Sequence, residues 1–465
     1  MKWIFGTLAL LLIGLLCQLD LLVYAMYSLL GVLLFGRYFT SCWVERLFAK
    51  RTCRQSVVEI GEAVEVEVGV QNQGTLAIPW LLLEESFGRA SVTGFPKRLQ
   101  VDGERIKLIS LKAGETTRLR YRVTFLMRGY YQLGPLLLET GDVFGLHRRF
   151  RVQTEPHFVL VLPKVLSLQG YTLASRRPIG AIRISHRLFE DPTRLAGIRP
   201  YQQGDPLNRI HWRATARTGS LHSRMYETSR VAGAVFLLDF YRDSFPGAAG
   251  AVAMELAVTT LASLANAVFL KGEQIGFASN GVDAAERVRS RGWLAEFTTR
   301  PDVQPLRTES PRIGHLPPVV VPTNAGQSVP AGSPIKTERL RPVVVPTLKG
   351  ADQLRYILEA LGRLEPTNSL RLDQLIEKMT PQFRRDATVI PVLGKITPAI
   401  ASAFGELVRH GFTVTAIVVL FEQSTMLDWA QTPEWAALLM AQEVDFRVIS
   451  AEESIPGVCA EALLR

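Results

Sequence analysis

"VAGAVFLLDF", residues 231–240, is an unbroken apolar run closed by a carboxylate and a phenylalanine. A strand with no polar face is buried on both sides, as parallel strands under covering helices are. The sequence downstream agrees. A helix-period segment at 251–270 ends at Lys271-Gly272, and strand "QIGFAS" (274–279) follows. Next come helix "ADQLRYILEALGRL" (351–364), strand "ATVIPVL" (387–393) and helix "PAIASAFGELVRH" (398–410). Strand "TVTAIVVL" (413–420), a helix near 432–442 and strand "DFRVIS" (445–450) complete the alternation. This order predicts an α/β domain over 231–299 and 348–465 with a mostly parallel sheet.

Residues 300–347 interrupt it with prolines from Pro301 to Pro346, and "PVVVPT" occurs at 318–323 and again at 342–347. Proline at that density favours extended chain, so an exposed insertion is expected; a docking ligand for a partner's groove is the sharper alternative.

Upstream the period is two. In "EAVEVEVGVQNQG", Val64, Val66, Val68 and Val70 alternate with Glu65, Glu67 and Gly69, and turn signals recur at Asp102-Gly103, Ala113-Gly114 and Gly134-Pro135. Short alternating strands with regular turns predict a β-sandwich over 56–160. Residues 161–230 then form a connector.

The N-terminus carries two apolar arms, Trp3 to Leu16 and Leu21 to Phe35, parted by Gln18-Leu19-Asp20. Each is about fourteen or fifteen residues, a little short for a hydrocarbon core of about 30 Å. Residues 1–37 are read as a transmembrane helical hairpin, with a single tilted anchor or an uncleaved signal as alternatives. Lys2 precedes the first arm, and Arg37, Arg46, Lys50, Arg51 and Arg54 follow the second. That asymmetry places both ends and the bulk of the chain on the cytoplasmic side of an inner or plasma membrane. The balance of 53 Lys and Arg against 43 Asp and Glu, a formal +10 over 465 residues, suits anionic partners or a lipid face. Cys17, Cys42, Cys53 and Cys459 show neither metal-finger spacing nor a secreted disulfide framework.

Between sandwich and α/β domain lies "GIRPYQQGDPLNRIHWRATARTGSL" (197–221), dense in arginine. Arg199, Tyr201, Gly204 and Asp205, then Arg209, His211 and Trp212, then Ala216 and Arg217, resemble the signature of the domain of unknown function 58 family. His211 stands where that family often carries Asp, and Asn208 where it often carries Arg. "RGYYQLGP" (128–135) and "GDVFGLHRR" (141–149) are similar to the stretch preceding the signature in the same family. The resemblance implies a von Willebrand factor A-like α/β domain and association with MoxR-type AAA+ ATPases that assemble or activate client proteins.

The chemistry of the signature suggests a clasp: Asp205 accepts from Arg199 or Arg209, and Trp212 offers a ring face to Arg213 or Arg217. A surface gripping a partner's acidic patch is the functional alternative, with nucleic acid a minor one. The resemblance also implies a divalent cation, Mg²⁺ above all, at D-x-S-x-S after the first strand. Here Asp239 holds the first position, Tyr241 and Asp243 replace the serines, and Lys395 stands in a later loop. Asp239 capping the following helix, or pairing with Arg217 or Arg224, is the structural alternative.

The sequence contains no GxxxxGK[ST], HExxH or GxSxG. The expectation is therefore a non-enzymatic, membrane-anchored adaptor without a required cofactor, working with an AAA+ ATPase on an unknown client. A binding module for acidic polymers or a lipid surface, and an uncharacterised hydrolase, are the other classes.

Overall fold

The structure is a computed structural model; it describes residues 2–88, 91, 96–142, 144–168, 189–202, 210–229, 233–247, 249–292, 341–383, 387–420 and 434–459. Two compact units emerge, one of residues 1–163 with 284–317, the other of 164–283 with 318–465.

The first unit opens with two apolar helices, α1 (Lys2–Leu16) and α2 (Asp20–Glu45). They pack as a hairpin closed by Gln18 in left-handed backbone (φ 52°), with the Leu19 amide donating to Gly14 O. A Cβ on Gly14 would come within 3.2 Å of Val23, so the glycine permits the close crossing. The hairpin does not end at residue 37. Helix α2 runs on to Glu45 because Thr40 and Val44 are buried.

Strand β1 (Leu47–Cys53) starts two residues after α2, earlier than the position 56 expected from alternation. It is followed by β2 (Val57–Glu59), β3 (Ala63–Asn72), β4 (Ile78–Glu85), β5 (Leu99–Gly103) and β6 (Ile106–Leu111). Then come β7 (Thr116–Phe125), β8 (Gly129–Leu133), β9 (Leu136–Gly141), β10 (Arg148–Thr154) and β11 (His157–Leu162). Two four-stranded sheets, β1-β3-β7-β5 and β10-β9-β4-β6, accompany a small β2-β11-β8 sheet. Val64, Val66, Val68 and Val70 of β3 share one core with Ile78, Leu81, Leu83, Leu136 and Leu138 of the opposing sheet. The valine alternation thus reports a buried sandwich face.

Inside that core sits an ion pair. One Arg51 terminal nitrogen donates to both Glu85 oxygens at 2.9 and 2.8 Å, and the Tyr121 hydroxyl donates to Glu85 Oε2 at 3.3 Å. Arg51 and Glu85 side chains are 5% and 0% exposed, so Arg51 does not flank the membrane as its position after the second arm suggested. Gly134 makes room: a Cβ there would fall 2.0 Å from the guanidinium. That clearance accounts for the glycine of "RGYYQLGP". Tyr131 donates its hydroxyl to Met127 O at 2.9 Å, pinning the turn before β8.

Burial pushes the Glu85 carboxyl up from its ordinary value, while the Arg51 charge and hydrogen bond and the Tyr121 hydroxyl oppose the rise. Removing one partner of a buried pair costs about 3–5 kcal/mol. Arg51→Met should therefore destabilise the sandwich strongly at neutral pH. Because Glu85 then loses what holds its charge, the loss shrinks as pH falls through the carboxyl's raised folded value. Thermal unfolding against pH checks this; a pH-independent deficit contradicts it.

The second unit begins with a ribbon of β12 (Phe189–Pro200) and β13 (His222–Ser229), with the short helix α3 (Trp212–Thr218) between them. Next are β14 (Gly233–Leu238), α4 (Gly250–Leu270), β15 (Gln274–Ser279) and β16 (Val282–Asp283); α5 (Ala284–Arg291) falls within the first unit. β17 (Val343–Leu348), α6 (Ala351–Arg363), β18 (Leu364–Glu365), α7 (Leu372–Met379) and β19 (Ala387–Leu393) follow. The chain continues through α8 (Pro398–Arg409), β20 (Thr413–Val419), α9 (Glu434–Met440) and β21 (Asp445–Ile449).

The main sheet runs β17-β15-β14-β19-β20-β21, parallel except for β17. Within it the sequence order reads 3-2-1-4-5-6, a doubly wound arrangement. Phe236 and Leu238 of β14 face a core built with α4 and α6; Val235 and Leu237 face another built with α7 and α8. The apolar run is buried on both sides, as expected. The second "PVVVPT" copy departs from expectation: it belongs to the sheet, not the insertion. Val343 and Val345 pack on the core, and Pro346 is tolerated because β17 is an edge strand. The first copy lies outside the described residues.

Candidate functional site

Two features of the second unit bring together the chemistry-bearing residues. The first is the ribbon with its helix. Arg199 sits opposite Ser223, and Ile198 opposite Arg224, so the two arginines project from opposite faces. The Tyr201 amide donates to Leu221 O at 2.8 Å, and Ile210 bridges Ser223 beneath α3.

Helix α3 is closed at both ends. His211 Nδ1 accepts from the Ala214 amide at 3.0 Å, doing the work of a side-chain N-cap. An Asp at this position would cap in the same way, so the substitution keeps the function with a different acceptor. Gly219, at φ 71°, supplies the left-handed C-cap. Thr215 Oγ1 accepts from the His222 amide at 3.1 Å, and the His211 amide donates to His222 O at 2.8 Å. His211 and His222 are therefore engaged in local scaffolding.

This rigid helix presents Trp212, Arg213, Ala216 and Arg217 to solvent, and the indole is 65% exposed. Exposure of that extent does not fit the expected packing of Trp212 against guanidinium groups. Gly204, Asp205 and Arg209 lie outside the described residues, as does the pairing expected of Asp205.

The second feature is the carboxyl edge of the sheet between β14 and β19, its topological switch point, where doubly wound sheets bind ligands. Asp239 sits there, 1% exposed. Its Oδ1 accepts from Asn280 Nδ2 at 2.9 Å and from the Tyr241 amide at 3.1 Å. Its Oδ2 has no hydrogen-bond partner of good geometry. Asn280 is the staple of the crest: Oδ1 accepts from the Phe240 amide at 2.7 Å, and Nδ2 also donates to Leu370 O at 3.1 Å. Thr367 bridges Tyr241 and joins Phe240 and Arg242 by backbone bonds. A Cβ on Gly394 would meet Ser244 O at 2.5 Å, so the loop after β14 lies directly on the loop after β19.

Burial raises the Asp239 carboxyl above its ordinary value. The Ser244 hydroxyl, Asn280 and the Tyr241 amide oppose this, and the Asp373 charge adds to it. The expected pairing with Arg217 or Arg224 is not formed, since Arg217 is on an exposed helix face and Asp239 is served by an amide. At the expected cation position Asn280 turns a donor toward Asp239 and Asp243 is exposed, and no group of three acidic, His or Cys side chains stands together among the described residues. Asn280, Thr367 and Asp373 are absent from the sequence reading because only the crossing of distant loops assembles them.

Residues 197–292 match the family described as "Protein of unknown function DUF58". That DUF58 segment holds α3, Asp239 and Asn280. The uncharacterized protein YeaD of Bacillus subtilis (strain 168) is 22% identical over 261 residues, 56% of this chain and 62% of that relative. The match thus spans under two thirds of the relative's length. Among solved structures, the CARDB domain of PF1109 from Pyrococcus furiosus aligns with 25% of this chain and 91% of its own. Its identity is 18% and its TM-score 0.17. A FixG-related protein from Vibrio parahaemolyticus covers 25% of this chain and 96% of its own at 7% identity and TM-score 0.17. Similarity at that level carries no argument about this fold.

The crest makes two measurable demands. A carboxyl raised by burial penalises the folded state above its folded value and is relieved as pH falls through it. Asp239→Asn keeps the Oδ1 bonds and removes the charge, so the variant should melt above the parent at neutral pH, the gap closing toward about pH 4. A lower melting point at neutral pH would show the charge to be compensated. For α3, His211→Ala should cost about 1 kcal/mol locally, seen as several-fold faster amide exchange at Ala214, with His211→Asp restoring protection.

Proposed function

We propose that the chain is a membrane-anchored interaction protein whose second unit holds an AAA+ ATPase of the MoxR type, and its client, near the cytoplasmic membrane face. The observation that carries this reading is the exposed Trp212 on a doubly capped helix, with Arg213 and Arg217 beside it. Tryptophan and arginine dominate binding hot spots, and an exposed indole beside two arginines on a capped helix supplies both. The arginines select an acidic patch.

The anchoring reading is supported by the contrast between two apolar helices. The most apolar stretch of α2 is only 6% buried, whereas that of α4 is 72% buried, a core helix. α1 is shorter, also apolar, and pairs with α2. The doubly wound sheet with one antiparallel edge is compatible with the von Willebrand factor A-like arrangement that the resemblance implies. His211 of the signature and His222 just beyond it are tied into a cap and a turn, which favours a binding role over acid–base chemistry.

Crosslinking of the full chain in native membranes tests the proposal. The parent should recover an AAA+ ATPase, and Trp212→Ala with Arg217→Ala should reduce recovery about tenfold or more. Equal recovery by the variant, or no ATPase with the parent, contradicts it.

A further inference from the structure

We propose that the loop and strand start at 144–150 form a membrane-interface clamp. Phe144, Leu146 and Phe150 enter the lipid boundary beside α2, and Arg148 and Arg149 face anionic lipid phosphates. The inference rests on α2 being a membrane span.

The loop's height along α2 is fixed by a close contact. A Cβ on Gly36 would lie 2.9 Å from Asp142 Oδ2, so the glycine lets the loop abut the helix where its apolar arm gives way to Arg37. Strands β9 and β10 both pack on α2, and Arg151 and Gln153 reach Val44 O and Leu47 O.

The loop is shaped from within. Asp142 Oδ1 accepts from the Leu146 amide at 2.7 Å, and Oδ2 accepts from the His147 amide at 3.2 Å. Gly145 takes a left-handed turn at φ 70°, and Trp80 Nε1 donates to Asp142 O at 3.3 Å. What this construction displays is apolar: Phe144, Leu146 and Phe150 are 69%, 41% and 43% exposed. Arg148 and Arg149 are exposed next to them.

Exposed apolar side chains next to arginines in one short segment are costly in water and matched to the headgroup boundary, where apolar side chains bury roughly 5–10 Å deep. α2 carries its own aromatic pair at this level, the stacked Phe35 and Phe39. The clamp also addresses length. Leu21 to Phe35 spans about 22 Å at 1.5 Å per residue, short of the roughly 30 Å hydrocarbon core. Apolar side chains beside the helix end extend the lipid-matched surface.

The test uses the full chain with its four cysteines replaced by alanine, reconstituted in phosphatidylcholine vesicles with brominated acyl chains. An environment-sensitive fluorophore is placed at Phe144→Cys, at Val32→Cys within α2, or at Leu108→Cys on β6, the sheet edge opposite β10. The clamp predicts quenching at Phe144 and Val32 and none at Leu108. Adding phosphatidylglycerol should strengthen the Phe144 signal by about twofold. Quenching at Val32 with none at Phe144 overturns the clamp and leaves the anchor standing. Absence of quenching at Val32 overturns both. Indifference to phosphatidylglycerol removes Arg148 and Arg149 from the assignment.

Discussion

The seat of the β-sandwich on α2 is the constraint on which the first unit depends. An apolar helix long enough to span a bilayer runs here, with no intervening linker, into a core. Thr40 and Val44 are buried, Asp142 presses on Gly36, and β1 follows α2 with only Arg46 between. Because β1 also carries Arg51 into the buried pair with Glu85, the chain's exit from the helix and the sandwich's polar centre are parts of one strand. A buried ion pair is weak evidence of net stability, but it fixes register, since a slipped β1 would strand two charges.

The second unit shows a different economy of polar groups. Its crest buries a carboxylate whose burial outweighs the Ser244, Asn280 and Tyr241 hydrogen bonds made to it, a costly arrangement. Among the described residues, Asn280, Thr367 and the Gly394 contact tie the loops after β14, β15, β18 and β19 together around it. Functional sites hold such costs more often than cores do. The signature helix, by contrast, has its polar groups satisfied and its indole in water.

Legibility from sequence followed the range of the interactions. Strands β14, β15, β19 and β20 and helices α4, α6 and α8 were readable because burial on both faces, or on one stripe, writes a periodic pattern over ten residues. The role of Gly134 was not, since the guanidinium it accommodates comes from Arg51, eighty-three positions earlier. β17 was hidden by its prolines, which mark an edge strand as readily as a loop. In the signature the residues were legible but not their exposure: Trp212 and Arg217 share a short helix with no buried residue among its members, and spacing alone says nothing of which way a helix faces. Asp239 was singled out from its place after the apolar run. Its partner Asn280 could have been suspected from ending the next strand, but its two-way bonding belongs to tertiary structure.

Amide hydrogen exchange across residues 37–46, measured on the full chain in lipid nanodiscs, tests the seating of the sandwich most directly. If α2 is built into the sandwich core, these amides exchange as slowly as those of β3, because both open only when the sandwich does. Exchange at the rate of an exposed linker, with β3 still protected, would show the helix and the sandwich to be separately mounted and would contradict the account.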